Sequence, residues 1–588
     1  MTSPSLPLPA RSEGWGVRLL AFLERSHARA LAILVVLSLV SFLPGFVTLQ
    51  PFDRDEPRFA QASKQMLESG DFIDIRFQDE GRHKKPVGIY WLQAAVVSAA
   101  EAAGVPEART TIALYRLPSL VGAITVVLAT YWAALVLLSG QVGVPARRAA
   151  FLAGAFMAGA ILLGVEARIA KTDATLAACS VVAMAVLARA FLNRLSPLPA
   201  VLSVIFWLAV GLSILIKGPL LLMVGGLAAA VLSIRDRSAR WLLGLRPLWG
   251  LAIVAAITVP WFLAIWLKTG GAFFAESVGK DMLAKAQSGQ ERHWGPPGTY
   301  LLAFFGTFWP AAIFTAIGVP AFWRERRMAW VAFCLAWIVP AWLVFEVLPT
   351  KLPHYVLPVY PAIAILTAWA LLNGDVHRRR PLATIATVLI PAIPLAIAAG
   401  LGVFAFRYDG TMLGPALPGF ALAVGLALWS WLAFVRDRAV SSALLGVVSS
   451  LALSVSVFGV AQPLIPSLKL SPRLAAAARS LDCAEPRLAT TSYREPSLIF
   501  LTRTDLVLTD GAGAAAFLAG GNCRMAFVEK RDEDAFAAHL SQTGLTPALV
   551  TRVRGFNING GRQLDIGVYR TGREGASPPA AQGQQQDR

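Results

Sequence analysis

Charge is what this sequence has least of. Only 15% of its 588 residues are Asp, Glu, Lys or Arg, while 56% are hydrophobic and the mean hydropathy is +0.59. That balance excludes a soluble domain of this length and leaves a polytopic membrane protein. Acidic residues are scarcer than basic ones, 35 against 53, for a formal net charge of +18. Much of the basic excess lies in short loops beside apolar segments, where it acts as an orientation signal. No basic surface interleaved with aromatics is present, which argues against nucleic acid as a partner. The six histidines and four cysteines form no zinc spacing. Cys179 and Cys334 lie inside apolar runs and read as core residues. Cys483 and Cys523 fall near the C-terminus, where a disulfide forms only if that part is extracytoplasmic. A cleavable signal peptide is also missing: the first apolar run, 30–49, is long enough to span and lacks a small-residue cleavage site. No internal repeat of solenoid length is apparent.

What is present is a series of apolar runs near membrane length, at about 30–49, 115–138, 149–166, 174–192, 199–216, 218–234, 247–266, 299–322, 328–348, 355–373, 382–405, 412–435 and 440–462. With Arg11, Arg18, Arg25 and Arg29 inside, the even-to-odd connections carry Arg147 and Arg148, Arg194, the arginines of 235–246, Arg324 with Arg326 and Arg327, Arg378 to Arg380, and Arg436 with Arg438. All then face the cytoplasm, as the positive-inside rule requires, and about thirteen spans leave the C-terminus outside. The run 87–104 is apolar too, but counting it would send every later Arg cluster outward, so it reads as interfacial or re-entrant. The expected organisation is a transmembrane domain over 1–462, an outer α/β domain over 463–573 and a disordered tail over 574–588. In the outer domain, β-rich runs are expected at 498–501, 506–508, 525–528 and 563–569, and helices at 472–481 and 533–542.

The outer connections differ in kind. The first, 50–114, contains an amphipathic helix over 57–67, opened by Pro57, ended by Gly70 and expected to lie flat on the membrane surface. Asp55 and Glu56 stand at its start, either as a cap favoured by the helix N-terminus or as a general base beside low dielectric. A second outer loop supplies Glu166, Arg168, Lys171 and Asp173, charges that are costly at this depth unless they face protein or water. Asp173 reads equally as a cap for the next helix. Further cations on the same side are Arg58, Arg82, Lys84, Lys85, Arg116, Lys217 and Lys351, with His83 and His354 beside them. They break the positive-inside bias, so a compensating anion is expected; a lipid phosphate or pyrophosphate fits, with headgroup anchoring as the alternative for any single residue. His293, in a Gly/Pro-punctuated loop, is an acid/base candidate, a metal ligand or an ordinary hydrogen-bonding residue.

These motifs resemble a known family. Asp55-Glu56-Pro57-Arg58-Phe59, Lys85-Pro86, Tyr90-Trp91, Arg116-Leu117-Pro118-Ser119, Ala167-Arg168-Ile169-Ala170-Lys171-Thr172-Asp173, Lys217-Gly218-Pro219 and Lys351-Leu352-Pro353-His354-Tyr355 through Tyr360-Pro361 are similar, in order, to the bacterial lipid A aminoarabinose transferases and their relatives the protein O-mannosyltransferases. The resemblance implies a GT-C glycosyltransferase in the bacterial inner membrane, N-terminus cytoplasmic and C-terminus periplasmic. It would take a sugar from an undecaprenyl (polyprenyl) phosphate donor and pass it to lipid A, lipopolysaccharide or another envelope acceptor on the periplasmic face. It implies Asp55 as catalytic acid/base with Glu56 beside it, Asp173 as a second acidic position, Lys85 and Arg58 on the donor phosphate, and Tyr355 or Tyr360 along the lipid cavity. Arg168, Lys217, Lys351, His354 and His293 complete the expected substrate-binding set. One departure stands out: Lys84 occupies the place where the aminoarabinose enzymes carry a Glu able to bind a divalent metal. No metal or other cofactor is therefore firmly implied. The expected reaction is inverting transfer; a protein acceptor, or a lipid-linked sugar flippase, is the alternative reading.

Overall fold

The structure, a computed structural model, describes residues 14–51, 54–141, 145–194, 196–282, 294–376, 381–481, 483 and 485–571. Hydrocarbon offers no water to backbone N–H and C=O groups, so the apolar runs satisfy them internally as helices. Among the described residues, nine helices are long and apolar enough to cross a membrane. The count is ten if Trp15–Leu23 and His27–Phe42, which meet at 116°, form one span. Leu220–Arg235 and Ala311–Arg324 are apolar but shorter. Some expected spans are broken: 149–166 divides into Ala146–Gly159 and Ile161–Glu166, and 299–322 into Thr299–Thr307 and Ala311–Arg324. Pro310 accounts for the second break, because it has no N–H to donate and disfavours helical geometry in the residue before it. The run 87–104 forms Gly88–Ala102, whose 15 residues reach about 22 Å, short of a hydrocarbon core of roughly 30 Å.

Burial sorts the spans. In Pro353–Leu372, 89% of the apolar window is buried, and in Asp173–Leu192 72%, against 17% in Ala383–Asp409 and 22% in Pro247–Thr269. The first two are central and the last two face outward. A Cβ on Gly122 would meet the Thr175 backbone nitrogen at 2.8 Å, so this glycine lets Ile112–Leu138 pack against the first turn of Asp173–Leu192.

The helix expected at 57–67 runs over Asp55–Ser69 and ends at Gly70, whose φ of 71° is left-handed. It is not laid open on a surface as its amphipathic pattern suggests: Glu56, Phe59, Gln61, Ala62, Ser63, Lys64 and Met66 are all buried. Polar residues among these are accommodated by hydrogen bonding, as where Ser63 Oγ meets Gln93 Oε1 at 2.7 Å. The side chain of Gln65 exchanges bonds of 2.6 and 2.9 Å with the Gln78 backbone. A two-stranded antiparallel ribbon, β1 (Arg76–Phe77) and β2 (Glu80–Gly81), follows.

A second compact unit joins the segment Gln50–Gln61 to everything from Ile465 onward. This unit takes in a segment that the expected outer domain, 463–573, does not include. Three links draw that segment in: Gln50 Nε2 donates to the Leu468 carbonyl, Gln61 Nε2 donates to Thr504 Oγ1 at 2.8 Å, and Arg54 pairs with Glu495 at 3.3 Å. The sheet comprises β3 (Arg487–Thr490), β4 (Val507–Leu508), β5 (Arg524–Glu529), β6 (Ala548–Asn557) and β7 (Arg562–Arg570) in the order β4-β3-β5-β7-β6. The β3 strand pairs in parallel with β4 and β5, and the β6–β7 hairpin closes the sheet antiparallel. Helices Gly511–Ala519 and Glu533–Thr543 build the core, with Ala514, Leu518, Val528 and Phe536 buried together. The run expected as a strand at 498–501 is helical, Pro496–Leu501, because Pro496 opens a first turn after an extended Glu495. Cys483 and Cys523 are joined, closing a loop of sequence separation 40, worth about 4 kcal/mol of loop-closure entropy. The tail expected at 574–588 lies outside the described residues.

Candidate active site

The two most buried spans present charged groups at one shared end. Asp173 opens the helix Asp173–Leu192, where the amide ends of a first turn favour a carboxylate. Lys217 closes Ala200–Lys217, and Gly218, with φ of 81°, turns the chain away immediately afterwards. The proline-spaced stretch Pro353–Val359 forms a 3-10 turn that displays His354 and Tyr355 just before the next helix. Glu166 ends Ile161–Glu166.

These groups meet. Lys217 Nζ bonds Asp173 Oδ1, with side chains only 9% and 4% exposed. His354 bridges the two carboxylates, its Nε2 3.7 Å from Asp173 Oδ1 and its Nδ1 3.5 Å from Glu166 Oε1. Lys217 Nζ also stands 5.4 Å from the centroid of the Tyr355 ring, whose face attracts a cation. Lys171 is buried close by in sequence and its backbone carbonyl accepts from Ser119 Oγ at 3.1 Å. Gln93 braces the loop through Nε2 to the Ala170 carbonyl at 3.2 Å. Buried charges at membrane depth are tolerated when paired in this way, and a network of this kind can set the position and polarity of an ammonium or imidazole facing substrate. Glu166, Asp173 and His354 are the one group among the described residues whose ligand atoms, all within 4.8 Å of one another, would suit a metal ion. Lys217 already supplies positive charge to that carboxylate.

Other expected residues are engaged differently. The Arg168 guanidinium is buried and ties helix ends together: it donates to the Pro44 carbonyl at 2.7 Å, to Ser454 Oγ at 2.6 Å and to the carbonyls of Ser41 and Gly164, and it lies 4.3 Å from the Phe458 ring centroid. Arg116 likewise donates to the Phe46 and Leu49 carbonyls at 2.8 Å. Lys351 caps the end of Ala329–Val347, donating to the carbonyls of Phe345 and Glu346 at 2.9 and 2.6 Å, and burial pulls its pKa below the usual lysine value. Tyr360 is fully buried; its hydroxyl meets Thr307 Oγ1 at 2.7 Å and its ring packs on Phe304 and Phe308. Arg168, Lys351 and Tyr360 thus hold the bundle, a role that charge and motif spacing do not distinguish from phosphate or lipid binding. Lys85 is half-buried beside Pro86. His293 lies outside the described residues.

In the second unit, Asp55 is 46% exposed at its side chain and carries Arg58 at 3.5 Å, while Glu56 is fully buried. Of the adjacent carboxylates, Asp55 is the one open to a substrate. Sequence reasoning missed the place of Glu166 in the cluster and of Glu495 beside Arg54. The first was signalled by its charge at a span end, the second by nothing local.

No family model matches the chain. The undecaprenyl phosphate-alpha-4-amino-4-deoxy-L-arabinose arabinosyl transferase of Edwardsiella ictaluri is 27% identical over 350 residues, covering 58% of each chain. That of Pectobacterium atrosepticum is 26% identical over 392 residues, covering 64% of this chain and 66% of its own. Matches to the first such relatives therefore span little more than half their length. The crystal structure of ArnT from Cupriavidus metallidurans in the apo state superposes with a TM-score of 0.69 at 20% identity, covering 92% of this chain and 97% of that one. The same protein bound to undecaprenyl phosphate gives 0.68, covering 95% and 98%. The chain has that GT-C fold.

Proposed function

We propose that this multi-pass membrane protein is a glycosyltransferase that moves a sugar from a polyprenyl phosphate donor to lipid A, lipopolysaccharide or another envelope acceptor. The observation that carries the reading is the paired network of Glu166, Asp173, Lys217 and His354 at the shared end of the two most buried spans, on a fold whose solved counterpart was captured with undecaprenyl phosphate. Asp55 is the base: its carboxylate takes the proton of the acceptor hydroxyl as that oxygen bonds to the anomeric carbon. The bond from that carbon to the phosphate oxygen breaks with inversion, and the lipid phosphate leaves. Arg58, Lys85 and Lys217 offset the charge growing on the phosphate, with Asp173 and Glu166 orienting Lys217 and His354. A flippase would call instead for ionisable groups near the bilayer midplane, whereas this cluster sits at helix ends.

The reaction is assigned to the periplasmic face of the bacterial inner membrane, with the N-terminus cytoplasmic and the C-terminus periplasmic. Two independent features support this orientation: the Arg-bearing inner loops and the Cys483–Cys523 disulfide, which persists in an oxidising compartment. Purified protein incubated with a polyprenyl-phosphate sugar and lipid A should release polyprenyl phosphate and glycosylated acceptor. Donor left intact with every acceptor offered, lipid, polysaccharide and protein, refutes the assignment. Reporters fused at Arg148 and Gly511 should read inside and outside respectively.

A further inference from the structure

At the far end of the helix that begins with Asp173, a cavity of about 190 Å³ opens beside Arg189, Asn193, Arg194, Ser196, Arg240 and Trp241. Sixteen residues separate Asp173 from Arg189, about 24 Å of helix, so this cavity and the charged cluster lie at opposite ends of the span. Its volume equals that of roughly six waters, room for a phosphate and its ester substituent.

The charges around it are unbalanced. Three arginines contribute to the lining and no carboxylate does. Arg194 is committed to Asp236 at 2.7 Å and lies 5.1 Å from the Phe191 ring centroid. Among the described residues, the guanidinium groups of Arg189 and Arg240 have no side-chain hydrogen bond or ion pair, and Arg189 is half-buried. Trp241 also lines the cavity, its Nε1 donating to Ser233 Oγ at 3.2 Å and its ring edge-on to Phe191. Two forked donors facing one space match the oxygens of a phosphate, and they outweigh the unfavourable C-terminal dipole of the helix Asp173–Leu192.

The surroundings say where that phosphate comes from. Leu243, next in sequence to the lining residue Gly244, is exposed, as are Leu248 and Trp249 at the start of the outward-facing span Pro247–Thr269, where a tryptophan marks a membrane interface. We infer that Arg189 and Arg240 form a binding site for the phosphate of an anionic phospholipid headgroup in the cytoplasmic leaflet, with its acyl chains along that span. The leaflet follows from the orientation assigned above; the site itself needs no assumption about the reaction.

The test uses the full-length protein in detergent, with phosphatidylglycerol retention read by native mass spectrometry against phosphatidylcholine, and melting followed in parallel. Wild type should prefer the anionic lipid, and Arg189→Ala/Arg240→Ala should lose about tenfold to thirtyfold of that preference. Arg189→Lys/Arg240→Lys, which keeps charge without the fork, should fall between them, and Arg324→Ala/Arg326→Ala on another basic loop should match wild type. Melting of each variant without added lipid reports whether it is folded. Equal lipid preference in wild type and a folded Ala pair overturns the site. A melting shift from inorganic phosphate alone as large as that from phosphatidylglycerol overturns the lipid source.

Discussion

Glu495 holds Arg54: the carboxylate, 8% exposed, lies 3.3 Å from a guanidinium one residue before Asp55. The same carboxylate accepts from Asn557 and Asn559 at 3.0 Å, so the β6–β7 hairpin and the approach to the proposed base converge on one buried acid. Arg54 is itself 41% exposed, and such a pair contributes little to stability. Its proposed role is placement. Glu495→Gln should lower kcat by about tenfold with donor KM nearly unchanged, since small displacements of a reacting group cost that much or more. Arg54→Ala should do the same, and the double variant should lose no more than either alone. Additive losses in that cycle would separate the two residues.

Asp55→Asn should reduce turnover by about 10²–10⁴-fold, the usual contribution of a positioned general base. Binding of polyprenyl phosphate and the melting temperature should stay near wild type, because the side chain is half exposed. Turnover near wild type in a folded Asp55→Asn protein moves the base elsewhere.

Lys217→Met removes the partner of a buried carboxylate and should destabilise the protein by about 3–5 kcal/mol. Replacing both members, Lys217→Met with Asp173→Leu, should recover much of that stability and none of the activity. Thermal melting in detergent distinguishes this from a purely catalytic role, in which the single variant would melt like wild type.

The second unit should be acid-sensitive. Burial pushes the Asp565 carboxyl up, but hydrogen bonds from Arg554 and Arg552 more than offset this and hold its pKa below the ordinary 3.8. Asp505 is lowered chiefly by Arg503. A carboxylate depressed on folding contributes stability that is present above its unfolded pKa and lost as pH falls through the folded one. Hydrogen-exchange protection factors in β5 and β7, corrected for the intrinsic pH dependence of amide exchange, should therefore be unchanged from neutral pH down to about 4 and fall below it. Asp565→Asn should flatten that acid limb.

Charge at helix ends was legible in the sequence, because ionisable residues beside apolar runs are expensive and therefore informative. Lys217, Asp173 and His354 were all found that way. What they do once there was only partly legible: Arg168 and Lys351 carry the same charge in similar motifs, yet their donors go to backbone carbonyls. Tyr360 was hidden in the same manner. The short apolar run at 498–501 suits strand and helix alike, and Pro496 decides it. Nothing local could announce that Gln50, Arg54 and Gln61 fold with residues such as Leu468, Glu495 and Thr504, since long-range pairing leaves no periodicity in either partner.

The joining of Gln50–Gln61 to the C-terminal unit has a biosynthetic consequence. About 400 residues of chain separate the two halves of that unit, and at about 5–20 residues per second a ribosome needs on the order of 20–80 s to supply the second after the first has emerged. Throughout that interval the segment bearing Asp55 waits without the domain it packs with. A nascent chain stopped before Ile465 would hold the segment bearing Asp55 without its partners Leu468, Glu495 and Thr504, so the proposed base would gain its supports only after the apolar spans have been made.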